Sequence, residues 1–168
     1  IHGASVITAL TAQHVTGVEA VEVAAPSIVS AQLTTVLERL PVRAAKTGML
    51  AGVPQMDAIW AALAHHPEVP LVIDPVLRAS SGDALAEGQV AERLIETWLP
   101  RATVITPNLD EARALVGADD GASEEEVREA FFSRCRGKTA VVVKGGHNRD
   151  PTQCADHVQL ANGVRFIL

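Results

Sequence analysis

The stretch PLVIDPV at residues 70–76 is an apolar run that stops at a carboxylate, Asp74, with a proline directly after it. Four other segments share this layout of an apolar run that ends in polar and small residues: SVITALTAQ (5–13), AAKTGML (44–50), ATVITPN (102–108) and AVVVKGGH (140–147). Because stretches with helical periodicity separate the five runs, we expect parallel strands in an α/β sheet. Such sheets bind ligands beyond the carboxyl ends of their strands, so the polar clusters mark the predicted site.

The stretches between the runs have the spacing of amphipathic helices. Apolar residues recur at intervals of three and four after Pro26, after Pro54 and before Pro100. Ser123 and Glu126 form a capping box in front of a fourth helix. We predict that the apolar stripes of these helices form the core; their members include Val29, Leu37, Met56, Ile59, Trp60, Leu94, Trp98, Phe131 and Cys135.

The C-terminal residues predict a different element. The segments 158–160 and 164–167 flank Asn162-Gly163, a residue pair that strongly favours a tight β-turn. We therefore expect a β-hairpin at this end of the sequence.

The length and composition predict one globular domain. The chain has 168 residues, of which 48% are apolar, and a net charge of −6, which argues against a surface for nucleic acid or anionic membrane. Any phosphate must then be bound locally, by backbone amides, helix ends or a metal. Cys135 and Cys154 form neither a disulfide framework nor a metal-ligand spacing, and no segment is apolar for long enough to span a membrane, so we expect a cytoplasmic protein.

Two of the polar clusters are acidic, and each allows two interpretations. Asp74 closes a wholly apolar run, where a carboxylate can position magnesium or can simply cap the following turn. Asn108 and Glu111 have the spacing of a helix cap with an acidic first turn, which is an ordinary helix start and equally a place for phosphate and metal chemistry.

A third cluster, Lys144-Gly145-Gly146-His147, joins a cation to two glycines. Glycines let backbone amides approach an anion, so the cluster is a weak signal for phosphate. It matches neither a Walker loop nor a dinucleotide fingerprint, and His147 has the alternative of being a plain loop residue.

Taken together, five motifs resemble one family. SVITALTAQHVTGV (5–18), KTGML (46–50), DPVLRASSGDAL (74–85), TPNLDE (106–111) and VKGGH (143–147) resemble, in this order, the hydroxymethylpyrimidine/phosphomethylpyrimidine kinases of thiamine biosynthesis. The resemblance covers essentially the whole chain. It implies a ribokinase-like fold, a three-layer αβα arrangement with a mostly parallel central sheet. It also implies ATP- and Mg²⁺-dependent phosphorylation of 4-amino-5-hydroxymethyl-2-methylpyrimidine and of its monophosphate.

The resemblance also implies roles for individual residues. Gln13 takes the place of the family's glutamine that hydrogen-bonds the aminopyrimidine, and an amide has the donor and acceptor that this ring needs. Met49 and Val76 take the places that line the ring. Asp74 and Glu111 correspond to the family's magnesium side, whereas the nucleotide phosphates fall to Asn108, Lys144, Gly145 and Gly146.

Two family segments have no counterpart between Ile1 and Leu168. One is the Gly/Ser-rich opening strand and loop; the other is the GTGC segment, which forms the anion hole and carries the catalytic-base position. We therefore expect residues 1–168 to be a single kinase domain that is incomplete at both termini, inactive by itself, with the base position beyond Leu168. The family's habit implies a homodimer.

Two alternatives stay open. A pyridoxine or pyridoxal kinase of the same superfamily also phosphorylates a hydroxymethyl group on a flat nitrogen heterocycle, although Gln13 favours the aminopyrimidine. A non-catalytic relative that binds the ligand without transferring phosphate is the second alternative.

Overall fold

The computed structural model describes residues 2–77, 88–145 and 155–168. They belong to two compact units, the first made of Ile1–Ala45, Met49–Pro70 and Val76–Val90, the second of Lys46–Gly48, Leu71–Pro75 and Ala91–Leu168. Most of the motif at 74–85, together with Gly146, His147 and Cys154, lies outside the described residues. No helix in the described ranges combines the length and the apolar character needed to cross a membrane.

The first unit opens with a hairpin of β1 (Ala9–His14) and β2 (Gly17–Val23). The two strands are antiparallel and form a separate two-stranded sheet. The prediction that residues 5–13 form a parallel strand of the main sheet is therefore wrong. The physical reason is that GVEAVEV follows after a two-residue loop and pairs locally, which leaves β1 largely exposed instead of buried.

Hydrogen bonds hold this hairpin at its base. The Gln32 side chain accepts from Ile7 N at 3.0 Å and donates to Ile7 O at 3.2 Å. The Gln55 amide donates to Ala24 O at 3.0 Å, just past the end of β2. The ribbon is thus attached to helices of its own unit where it begins and ends.

Two helices that lie in the first unit confirm the periodicity argument. They are α1 (Pro26–Arg39) and α2 (Val53–Leu63), and each has its proline in the first turn. Their buried apolar residues are Val29, Leu37, Met56, Ile59 and Leu63. These side chains come from the predicted stripes, so spacing alone located this part of the core.

A strained turn leads into α2. Ala51 has φ +64°, and Gly52 N donates to Leu50 O at 2.8 Å. A hydrogen bond across one residue with positive φ is the rare γ-turn, which a residue with a Cβ adopts at a cost. The turn fixes the chain two residues after Met49.

Within the described residues, the main sheet has six strands, β3 to β8, in sequence order. They are β3 (Ala45–Lys46), β4 (Leu71–Ile73), β5 (Val104–Ile105), β6 (Ala140–Val143), β7 (His157–Gln159) and β8 (Arg165–Ile167). The pairs β4–β5 and β5–β6 are parallel, which confirms the parallel arrangement for the central runs, and the last two pairs are antiparallel. The predicted C-terminal hairpin is β7–β8, and Gly163 in its turn has φ +88°.

The remaining helices also follow the sequence pattern, with one difference. α3 (Gly88–Arg93) continues into a π-helical turn at Leu94–Trp98 and a 3-10 turn at Leu99–Arg101, so Pro100 lies inside the helical stretch. α4 (Leu109–Val116) and α5 (Glu124–Cys135) are regular. Trp98 and Phe131 have no exposed surface and belong to the core of the second unit.

Candidate functional site

The carboxyl ends of three strands bring two lysines onto one carboxylate. Lys46 ends β3, Asp74 follows β4 and Lys144 follows β6. Lys46 Nζ donates to Asp74 Oδ2 at 2.9 Å, and Lys144 Nζ donates to Asp74 Oδ1 at 2.9 Å. We refer to these three side chains as the Lys–Asp–Lys cluster. All three belong to the second unit.

Asp74 is held as an anion in this cluster. Partial burial acts to raise its pKa, but hydrogen bonds and charge from Lys144 and Lys46 outweigh burial and place the pKa below the ordinary value. The Asp74 backbone N–H also donates to Thr47 Oγ1 at 3.2 Å, which fixes the chain at this point. The carboxylate is therefore both charged and positioned at neutral pH.

The end of β5 lies next to the end of β6. Lys144 N donates to Pro107 O at 2.8 Å, and Asn108 forms a parallel bridge with Lys144. Asn108 is the N-cap of α4: its side chain accepts from Glu111 N at 2.8 Å, and Glu111 Oε2 accepts from Asn108 N at 2.8 Å. The helix-start interpretation of these two residues is confirmed, and a metal role for Glu111 stays a prediction.

The second capping box, at Ser123 and Glu126, offers a matched test of that role. A glutamine at the third helical position keeps an acceptor for the N-cap amide, so Glu111→Gln and Glu126→Gln should each change the free energy of unfolding by less than about 0.5 kcal/mol. We expect only Glu111→Gln to raise the magnesium concentration needed for half-maximal activity, because Glu126 belongs to another helix start. Equal magnesium requirements in both variants and the wild type would leave Glu111 with a capping role alone.

Gly145 makes contacts within the chain through its backbone. Its N–H donates to Asp156 Oδ1 at 2.9 Å, and a Cβ at this position would lie 2.1 Å from Ala155 O. The glycine is thus required by close packing of the backbone against Ala155. The Gly145 N–H therefore already has an acceptor within the chain, and its phosphate contact stays a prediction.

The predicted pyrimidine residues lie in the first unit. Gln13 is exposed on β1, beside a β-bulge, and not at the end of a strand of the main sheet as predicted. Met49 is partly buried, and its carbonyl accepts from Thr8 Oγ1 at 2.6 Å. Val76 is partly buried.

Lys46 and Thr47 are the residues that sequence reasoning did not select. Both belong to the KTGML motif, in which only Met49 had a predicted role. The position of Lys46 in the sequence was the available signal. Lys46 is the last residue of β3, and Lys144 directly follows β6, so lysines lie at the carboxyl ends of both strands. Parallel strands that share an edge bring such residues together.

Cys135 plays no part in this chemistry. It is fully buried on α5, and burial raises the pKa of its thiol to about 12. A thiol is a poor nucleophile, and the thiolate is the reactive form. The structure therefore agrees with its predicted place on an apolar stripe.

The donors present suit magnesium only as a partly protein-bound ion. Within the described residues, no group of three or more His, Cys, Asp or Glu side chains lies close enough to hold a metal. Magnesium typically keeps several waters and binds one or two carboxylates together with phosphate oxygens. The Asp74 carboxylate fits that requirement, because it is charged and only 19% exposed.

Comparisons with a family model and with curated proteins point to one family. The family model described as phosphomethylpyrimidine kinase matches residues 1–167. Hydroxymethylpyrimidine/phosphomethylpyrimidine kinase of Staphylococcus aureus strain MRSA252 is 36% identical over 167 residues, which are 98% of this chain and 60% of that protein. The chain therefore spans about three-fifths of the length of this curated relative.

Two solved structures are similar throughout. Phosphomethylpyrimidine kinase from Clostridium difficile 630 is 33% identical with a TM-score of 0.80, covering 99% of this chain and 71% of that one. An ADP complex of Bacillus subtilis pyridoxal kinase is 25% identical with a TM-score of 0.76, covering 97% and 62%. With α/β architecture and parallel central strands, the fold is that of the ribokinase-like kinases, and the chain belongs to the phosphomethylpyrimidine kinase family.

Proposed function

We propose that the protein phosphorylates 4-amino-5-hydroxymethyl-2-methylpyrimidine, and then its monophosphate, with ATP as the donor in thiamine diphosphate synthesis. The observation that carries this proposal is the Lys–Asp–Lys cluster at the carboxyl ends of β3, β4 and β6. Family membership supports the same reaction. The cluster supports placing the proposed phosphate site at these strand ends.

Phosphoryl transfer requires positioning and the neutralisation of charge on phosphate oxygens. Lys144 supplies a cation whose ammonium group is held by Asp74, and its backbone is held by the bridge to Asn108. Magnesium, when bound, adds positive charge at the phosphates, and we propose Asp74 and Glu111 as the residues that hold it. Asn108, Lys144, Gly145 and Gly146 are proposed for the nucleotide phosphates.

The pyrimidine is proposed to bind through Gln13, Met49 and Val76. An amide presents one donor and one acceptor, which match an amino group beside a ring nitrogen. Apolar side chains such as methionine and valine suit the faces of a flat ring. The strained turn after Met49 supports this role, because strain of this kind concentrates at binding sites.

Phosphorylation of pyridoxal is the second candidate, favoured by the structural similarity to the Bacillus subtilis pyridoxal kinase. Steady-state ADP formation by the full-length protein, measured with each acceptor in turn, separates the two. We expect kcat/KM for the hydroxymethylpyrimidine to be at least tenfold higher. A higher value for pyridoxal would favour the second candidate, and binding without turnover would indicate a non-catalytic relative.

Gln13→Leu in the full-length protein should weaken pyrimidine binding by about 1 kcal/mol, or fivefold, since the ring groups lose their hydrogen-bond partners. Titration calorimetry with the pyrimidine measures this effect, and the dissociation constant for the nucleotide should not change. Gln13→Glu should also weaken binding, because a carboxylate lacks the amide's donor. Thr11→Val, an exposed change in the same strand, is the control. Unaltered affinity in Gln13→Leu would remove Gln13 from the site.

A further inference from the structure

We propose that Lys46 is a second phosphate-binding cation of this site, working beside Lys144 from the opposite oxygen of Asp74. The inference rests on the proposed function for the source of the phosphate. It extends that function to a residue without an assigned role.

The first argument is charge. One carboxylate, Asp74, faces two ammonium groups at equal distances of 2.9 Å. The three side chains together carry one net positive charge. One lysine would be enough to neutralise the Asp74 carboxylate. The second lysine leaves an excess positive charge, which attracts an anion.

The second argument is the geometry of Lys46. Its Nζ donates to Asp74 Oδ2 at 2.9 Å and to Thr47 O at 3.2 Å. An ammonium group has three hydrogens, so these two bonds in the described part of the chain orient it and leave a third donor. The side chain is 61% exposed, which lets a ligand from solution reach it.

The third argument concerns stability. An ion pair with one partner this exposed is screened by water and adds little to folding. Lys46 is nevertheless positioned by two acceptors beside the predicted phosphate cation Lys144. A binding role explains this placement better than a structural one.

The phosphate has two possible sources, the nucleotide and the ester of the phosphorylated acceptor. Both present the same oxyanion, and a lysine binds either as a point charge. The experiment therefore needs one arm for phosphate binding as such and one arm for its source.

The first arm is a thermal-shift titration of the full-length protein with inorganic phosphate, at an ionic strength held constant with sodium chloride. The variants are Lys46→Met and, as the matched control, Lys138→Met, an exposed lysine in the turn before β6. We expect equal Tm values without phosphate, and a rise with phosphate that is at least halved in Lys46→Met alone. Equal rises in all three proteins would overturn the proposal.

The second arm is kcat/KM for the pyrimidine and for its monophosphate. If Lys46 binds a phosphate of the nucleotide, Lys46→Met should lower kcat/KM for both acceptors by at least fivefold. If Lys46 binds the phosphate ester of the acceptor, the substitution should lower only kcat/KM for the monophosphate. Lys46→Arg should restore part of either loss. Unchanged values for both acceptors would overturn the proposal. If the wild-type protein phosphorylated neither acceptor, the proposed function would fall, and the phosphate titration alone would decide on Lys46.

Discussion

Asp74→Asn should lower turnover of the full-length protein on the order of a hundredfold while leaving its fold intact, the scale on which electrostatic groups at a reacting centre act. The substitution keeps the shape of the side chain and removes the charge that fixes Lys46 and Lys144. It also removes the proposed magnesium ligand, so the magnesium requirement should rise. ADP formation at a series of magnesium concentrations measures both effects.

Stability separates this mechanism from simple unfolding. The two lysines are 61% and 39% exposed and can turn towards water once Asp74 is neutral, so we expect a loss of less than about 1 kcal/mol in the free energy of unfolding. Asp120→Asn, in an exposed turn, controls for the change in net charge. A large loss of stability with an unchanged magnesium requirement would show that Asp74 serves the fold and not the reaction.

Gly145→Ala should destabilise the protein by about 3 kcal/mol, at the upper end of the usual cost of inserting a methyl group into a packed position. The new Cβ would lie 2.1 Å from Ala155 O and 2.7 Å from Ala155 C, both backbone atoms. The backbone cannot easily retreat, because Gly145 N donates a hydrogen bond to the Asp156 side chain. Val143 and His157, each two residues from the contact, are also paired in the sheet.

Urea denaturation measures this loss, and Gly121→Ala is the matched control. A Cβ at Gly121 would meet nothing within 4 Å, so its free energy of unfolding should stay within about 0.5 kcal/mol of the wild type. A Gly145→Ala variant as stable as this control would show that close packing against Ala155 does not require glycine at this position.

Much of the fold could be predicted because local signals and burial agree. The prolines at 26 and 54 with their apolar stripes predicted α1 and α2, and Asn162-Gly163 predicted the β7–β8 hairpin. The capping box at Ser123 also lies where its residues indicated. In each case the chain within about ten residues is enough to determine the element.

The misplaced strand shows where such reasoning fails. An apolar run such as residues 5–13 fits a buried strand or one arm of an exposed ribbon equally well, and the choice depends on what it pairs with. The alternating pattern of residues 17–23 was the available signal, and a two-residue loop let local pairing win. Lys46 was not predicted as a site residue for a related reason: its partner Asp74 is 28 positions away in the chain, so no local pattern joins the two residues.

The β1–β2 ribbon has a consequence for recognition. Its strands are mostly exposed, and hydrogen bonds to Gln32 and Gln55 anchor its base. A two-stranded ribbon of this kind is marginally stable, and regions with few buried apolar contacts open at little cost in free energy. A ligand that binds Gln13 must therefore suppress those local openings. The conformational entropy lost in this way makes the free energy of binding less favourable.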